Sequence, residues 1–83
     1  MNVTPESIQA NIAQNMVTEY LTVVGDGQHF EAVVVSAAFV GKSRVQRHQL
    51  VFQTLGDRMR DEIHALSIKT FTPQEWAARP VQL

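Results

Sequence analysis

The chain contains no cysteine, which excludes a disulfide, a thiolate nucleophile and a cysteine-rich zinc site. It also lacks any excess of one charge: seven Lys and Arg stand against eight Asp and Glu, a formal charge of −1. A chain built wholesale to coat nucleic acid would be far more basic. No apolar run approaches the roughly 20 residues of a membrane span. The opening MNVTPESIQANIA has no charged-then-apolar signal-peptide pattern. These absences describe a soluble, cytoplasmic protein.

Enzyme signatures are missing too. Gly41-Lys42-Ser43 lacks the upstream glycine and spacing of a P-loop, and there is no G-x-S-x-G. A buried acid–base pair needs a pocket that 83 residues hardly enclose, so a non-enzymatic role is expected. There is no G-x-x-G loop of the KH type and no exposed aromatic pair on which bases would stack. Repeats, linkers and low-complexity tracts are also absent.

What is present is enough for one small core. Eighty-three residues at 45% hydrophobic content describe a single domain, 1–83, near the lower size limit for folding without staples.

The organising stretch is SRVQRHQLVFQTLGDRMR, from Ser43 to about Arg60. Read as a helix, it sets Val45, His48, Phe52, Leu55 and Met59 on one stripe, with Ser43 as N-cap. Gly56 weakens the interior by roughly 1 kcal/mol against Ala, so the last turns are expected to fray. Arg44, Arg47 and Arg58 project beside the stripe with Val51 among them, and Leu50 falls on the opposite face. Between Glu31 and Asp57 there is no acidic residue, while Lys42, Arg44 and Arg47 lie inside that gap.

The flanking elements follow from local chemistry. Thr4-Pro5-Glu6 opens a helix with a capping hydroxyl, proline in the first turn and then an acid. The helix ends near Asn15 and buries Ile8, Ile12 and Met16. Tyr20 to Val24 is β-prone, and Gly25-Asp26-Gly27-Gln28 reads as a hairpin turn. Phe30 to Ser36, with Val33-Val34-Val35 inside it, reads as a central strand. Ala37 to Gly41 is a turn or one helical turn. Leu66, Ile68 and Thr70 alternate with Ala65, Ser67 and Lys69 in a third strand. Thr72-Pro73-Gln74-Glu75 is a capping box before a short helix with Trp76, stopped by Pro80.

The order is α-β-β-α-β-α, an α+β fold. Strands one and two form an antiparallel hairpin; strands two and three, joined through a helix, run parallel. The expected architecture is a three-stranded mixed sheet with the helices packed on one face.

Three histidines are candidates for chemistry. His48 lies on the apolar stripe and reads as a packed ring. His29 follows the glycine turn, and His64 lies where helix gives way to strand, so the two are expected near one end of the sheet. Two imidazoles near each other bind a soft or borderline metal but leave its shell incomplete. Such a site has to be shared across an interface. The basic helix has three readings: a solvated face, a protein-partner surface or, through a helix-turn-helix-like middle, a nucleic-acid surface.

These residues resemble the BolA family, especially its short IbaG-type members. The matching segments are VVGDGQHFEAVVVS, FVGKSRVQRHQLVFQTL and IHALSIKTFTPQEW, which cover most of the chain from Val23 to Trp76. They carry the pattern of Phe39, Gly41, Ser43, Arg47 and His48, followed by His64-Ala65-Leu66 and by Thr72-Pro73 with Trp76. The resemblance implies a class II KH-like layout and a monothiol glutaredoxin partner. It also implies a [2Fe-2S] cluster bridging the two proteins and not bound by the free chain, a monomer or weak dimer. Glutaredoxin and glutathione would bring the thiolates, and this chain the imidazole of His64 with a second ligand from the first hairpin. The hairpin has no cysteine and its candidate is His29, which in longer relatives aligns with a histidine beside the strand. The histidine matching His48 is a family signature rather than a ligand. Lys42, Arg44, Arg47 and Lys69 are the residues expected to steer a partner. Some family members are described as transcriptional regulators, which keeps DNA as the alternative partner of the same basic residues.

Overall fold

The computed structural model describes residues 3–59 and 65–80. The first helix, α1 (Pro5–Asn15), starts on Thr4, whose hydroxyl accepts from the Ser7 amide while the Ser7 hydroxyl accepts from the Thr4 amide. This reciprocal cap satisfies two backbone donors that no helical carbonyl reaches. Two strands follow, β1 (Tyr20–Gly25) and β2 (Phe30–Val35), then a single 3-10 turn at Ala37–Phe39. The second helix, α2 (Arg44–Leu55), is capped by Ser43. The last elements are β3 (Leu66–Phe71) and α3 (Pro73–Ala78), the latter opened by a Thr72–Glu75 capping box.

The sheet order is β1-β2-β3, with β2 central as its valine run predicts. β1 pairs antiparallel with β2, Tyr20 opposite Val35 and Gly25 opposite Phe30; β2 pairs parallel with β3, Phe30 opposite Leu66 and Val35 opposite Phe71. Because side chains alternate along a strand, Phe30, Ala32 and Val34 share one face with Val23 and Leu66. On that face they meet Ile8 and Ile12 of α1, Val51 and Leu55 of α2, and Phe39 from the 3-10 turn. Each fully buried side chain of this size contributes about 1.5–3 kcal/mol, and this cluster is the core.

The structure keeps Leu55 buried and Phe52 packed against the core, as the stripe predicts, and shifts the rest of the buried side of α2. Val45 is 66% exposed, whereas Val51 is fully buried and Leu50 packs half-buried against the core. The inward row is Arg47, Val51 and Leu55, spaced by four and therefore stacked on one helix face. Val45 lies in the first turn and off that row. Gly56 does not weaken a helix interior; it ends the helix, taking φ +56° as C-cap in the left-handed region that glycine enters without strain. A 3-10 turn, Gly56–Met59, follows instead of further α-helix. The parts expected of the Arg58 and Met59 side chains lie outside the described residues.

The third helix departs from the one-face arrangement. Tyr20, Val35 and Phe71 form a row across the three strands, on the face turned away from α1 and α2. Trp76 stacks on Tyr20 with ring centroids 4.8 Å apart and sits tilted against Phe71 at 5.1 Å. Val35, the middle of the row, is fully buried. α3 thus seals one corner of the second face, while Val24 on the same face stays exposed.

Candidate functional site

The β1–β2 hairpin holds His29 by its backbone. The Asp26 carboxylate accepts from the Gln28 and His29 amides, both at 2.9 Å, and the Asp26 amide donates to the His29 carbonyl at 3.2 Å. The His29 and Gln28 amides hold the Asp26 carboxyl below its ordinary value, because these bonds favour the charged form. Gly27 takes φ +95°, which the turn needs and side chains resist. Gly25 is required for a different reason. A Cβ there would lie 2.5 Å from the Phe30 ring and 2.6 Å from the His29 carbonyl oxygen.

The His29 residue is exposed, and its ring makes no hydrogen bond to a described residue. Leu66, the first residue of β3, is the parallel partner of Phe30. The entry to β3 therefore lies at the same end of the sheet as the hairpin, as expected from sequence. His64, two positions before Leu66 in the chain, lies outside the described residues. His48 is half-buried on α2, which agrees with a packing role. Among the described residues no group of three His, Asp or Glu side chains gathers as a metal cage.

The four cations expected to act together separate into two places. Lys69 stands on the open sheet face, 3.7 Å from Glu31 on the neighbouring strand. Lys42, Arg44 and Arg47 lie at the start of α2 and line a cleft with Glu75 and Arg79. Arg47 is not a free cation. Its two terminal nitrogens donate to the two Glu75 oxygens at 2.7 and 3.2 Å, and Nε donates to the Lys42 carbonyl at 2.9 Å. The Arg47 side chain is only 14% exposed, as its place on the Val51–Leu55 row requires. A charge on an inward row needs a partner, and Glu75 supplies it. Hydrogen bonds from Arg47, then from the Thr72 amide, bring the Glu75 carboxyl down to about 2.

Two participants escaped the sequence reading. Glu75 was legible as a capping residue, yet it caps α3 and binds Arg47 at once. The signal for the second role is the four-residue spacing of Arg47, Val51 and Leu55. Arg79 carried no sequence signal; its guanidinium carbon lies 3.5 Å from the centre of the Trp76 ring.

A family model described as BolA-like protein matches residues 1–75. The DNA-binding transcriptional regulator BolA of Haemophilus influenzae is 46% identical over 55 residues, covering 66% of this chain and 53% of that protein. The chain spans about half the length of that relative and of its counterpart in Vibrio cholerae. The acid stress protein IbaG of Escherichia coli is 41% identical over 71 residues, 84% of each chain. Among solved structures, a BolA homologue from Coxiella burnetii superposes with a TM-score of 0.78 at 42% identity, covering 90% of this chain and 97% of that one.

Proposed function

Because the chain belongs to the family of BolA-like proteins, we propose that it is a non-enzymatic cytoplasmic adaptor that pairs with a monothiol glutaredoxin. Together the two proteins hold a bridging [2Fe-2S] cluster, in iron–sulfur trafficking or iron sensing. The observation that carries this reading is the Phe30–Leu66 register. It brings the exposed His29 hairpin and the entry to β3 to one end of the sheet.

The donor set fits a shared cluster. Imidazole nitrogen is a borderline donor suited to iron, and the chain has no cysteine to complete a shell. His64 is the principal ligand and His29 the second; glutaredoxin and glutathione bring the thiolates. Asp26 holds the backbone of His29 in the turn, so the ring is presented from a fixed point. Once bound, the cluster supplies electron-transfer chemistry whose potential shifts when imidazole replaces thiolate, as in Rieske centres.

Mixing the chain with cluster-loaded glutaredoxin and recording visible circular dichroism tests the reading. A new spectrum is expected, lost with His64→Ala and altered with His29→Ala. A spectrum unchanged on mixing, or indifferent to His64→Ala, rejects it.

A second reading has its own support in the relatives named as DNA-binding transcriptional regulators. Here Lys42 and Arg44 would contact phosphates, with Arg47 already engaged by Glu75. A mobility-shift titration at two salt concentrations separates the readings. Tight, specific and strongly salt-dependent binding without a partner favours DNA.

A further inference from the structure

We propose that the cleft between the start of α2 and the end of α3 is a binding site for one small dianion of the phosphate class. The ligand would be free phosphate or the terminal phosphate of a small phosphorylated molecule. This inference is independent of the cluster reading, since it uses neither His29 nor His64.

Charge distribution is the first support. Among the described residues, the cations Lys42, Arg44, Arg47 and Arg79 line this one cleft, and of the acidic side chains only Glu75 does. Four positive side chains against one negative thus surround a concave spot of about 480 Å³. Clefts lined by one sign of charge focus the field and raise the local concentration of the opposite ion.

Preorganisation is the second. Arg47 is fixed by Glu75 and the Lys42 carbonyl. Arg79 is fixed over Trp76 and donates to the Trp76 carbonyl. Lys42 and Arg44 make no side-chain hydrogen bond or ion pair with a described residue. The fork of Arg47 is taken by Glu75, so Lys42 and Arg44 supply the free donors while Arg47 and Arg79 add fixed positive charge, a set suited to an anion with several acceptor oxygens.

Glu75 is the third. Its carboxylate already occupies the cleft as a built-in anion, taking from Arg47 the two parallel bonds that a phosphate takes from a guanidinium. The site therefore works against an internal competitor, which makes a distinctive prediction. Removing that charge tightens binding.

Geometry favours a small ligand over a polymer. A nucleic-acid backbone needs cations along a track. Here Lys42, Arg44, Arg47 and Arg79 line one cleft, and Lys69 is engaged with Glu31 on the second face of the sheet.

The test uses the full chain, titrated with inorganic phosphate at constant ionic strength set by chloride. Binding is followed by backbone amide shifts and by the fluorescence of Trp76, the sole tryptophan. Expected are saturable shifts confined to residues 42–47, 70–71 and 75–80. Affinity should fall about tenfold in Lys42→Gln/Arg44→Gln, two residues without side-chain partners in the fold. Affinity should rise about two- to fivefold in Glu75→Gln, where the amide can still fill the capping box. A parallel titration with glycerol phosphate separates the sources. Tighter binding than inorganic phosphate identifies a phosphorylated small molecule, and equal binding identifies free phosphate. Non-saturable shifts, shifts reproduced by chloride, or affinity indifferent to the Lys42/Arg44 double variant overturn the proposal. Binding of an oligonucleotide or acidic peptide without any response to either phosphate overturns it as well.

Discussion

Arg47 and Glu75, 28 positions apart in sequence, are joined by two parallel hydrogen bonds of 2.7 and 3.2 Å. The pair ties the first turn of α2 to the first turn of α3, so two helices on different faces of the sheet share one polar fastening. It also lets an arginine stand on the inward row of α2.

A pH dependence follows from this pair. The folded Glu75 carboxyl lies at about 2, below the ordinary 4.5. A depressed acid contributes stability fully above its unfolded value and loses it as pH falls through its folded value. Asp26 shifts in the same direction. The melting temperature should therefore decline as pH drops from about 4.5 toward 2, and Glu75→Gln should flatten that decline. Calorimetric melts across the acid range check both.

Gly25→Ala should destabilise the domain by about 1–3 kcal/mol, the usual range for overpacking. Its Cβ collides with the Phe30 ring and the His29 carbonyl, so the hairpin has to shift. Urea unfolding measures the loss, and amide shifts of residues 26–30 report the displacement.

The two faces of α2 are separable by a matched pair of truncations. Val51→Ala removes two methyls from a fully buried site and should lose about 2 kcal/mol. Val45→Ala, at an exposed site, should change stability by less than about 0.5 kcal/mol. A larger loss in Val45→Ala than in Val51→Ala would place the buried face where the simple apolar periodicity puts it.

Trp76→Ala should lose roughly 2 kcal/mol by uncovering the Tyr20, Val35 and Phe71 row, while Trp76→Phe keeps most of it. Denaturant titration of the two variants gives the difference. Loss in neither variant would mean that α3 does not seal the second face.

Much of the fold was legible because its local signals are strong. Thr4, Ser43 and Thr72 each cap the helix they precede, since a side-chain oxygen there answers an otherwise unpaired amide. The valine run from Val33 to Val35 reads as a central strand because Val34 faces the core and Val35 is covered from the other side by α3, with Val33 half-buried on that same side. The face of α2 was harder. Val45 and Val51 are chemically alike, and only the sheet beneath decides which of two nearby rows points inward; the Arg47–Glu75 bond moves the answer toward the arginine. The turn at Gly56 was misread for a related reason, since a glycine weakens a helix interior and ends a helix equally well. Arg79 was invisible because its place depends on Trp76 folding back over Tyr20, a contact between distant parts of the chain.

The tight approach at Gly25 has an evolutionary consequence. With that position closed to any side chain, and its ladder partner Phe30 set in the core, neither base of the hairpin can absorb an insertion. Changes in loop length are confined to the exposed tip. A lineage can thus extend or remodel the tip, and with it the exposed side chains it presents, while leaving the rest of the domain untouched.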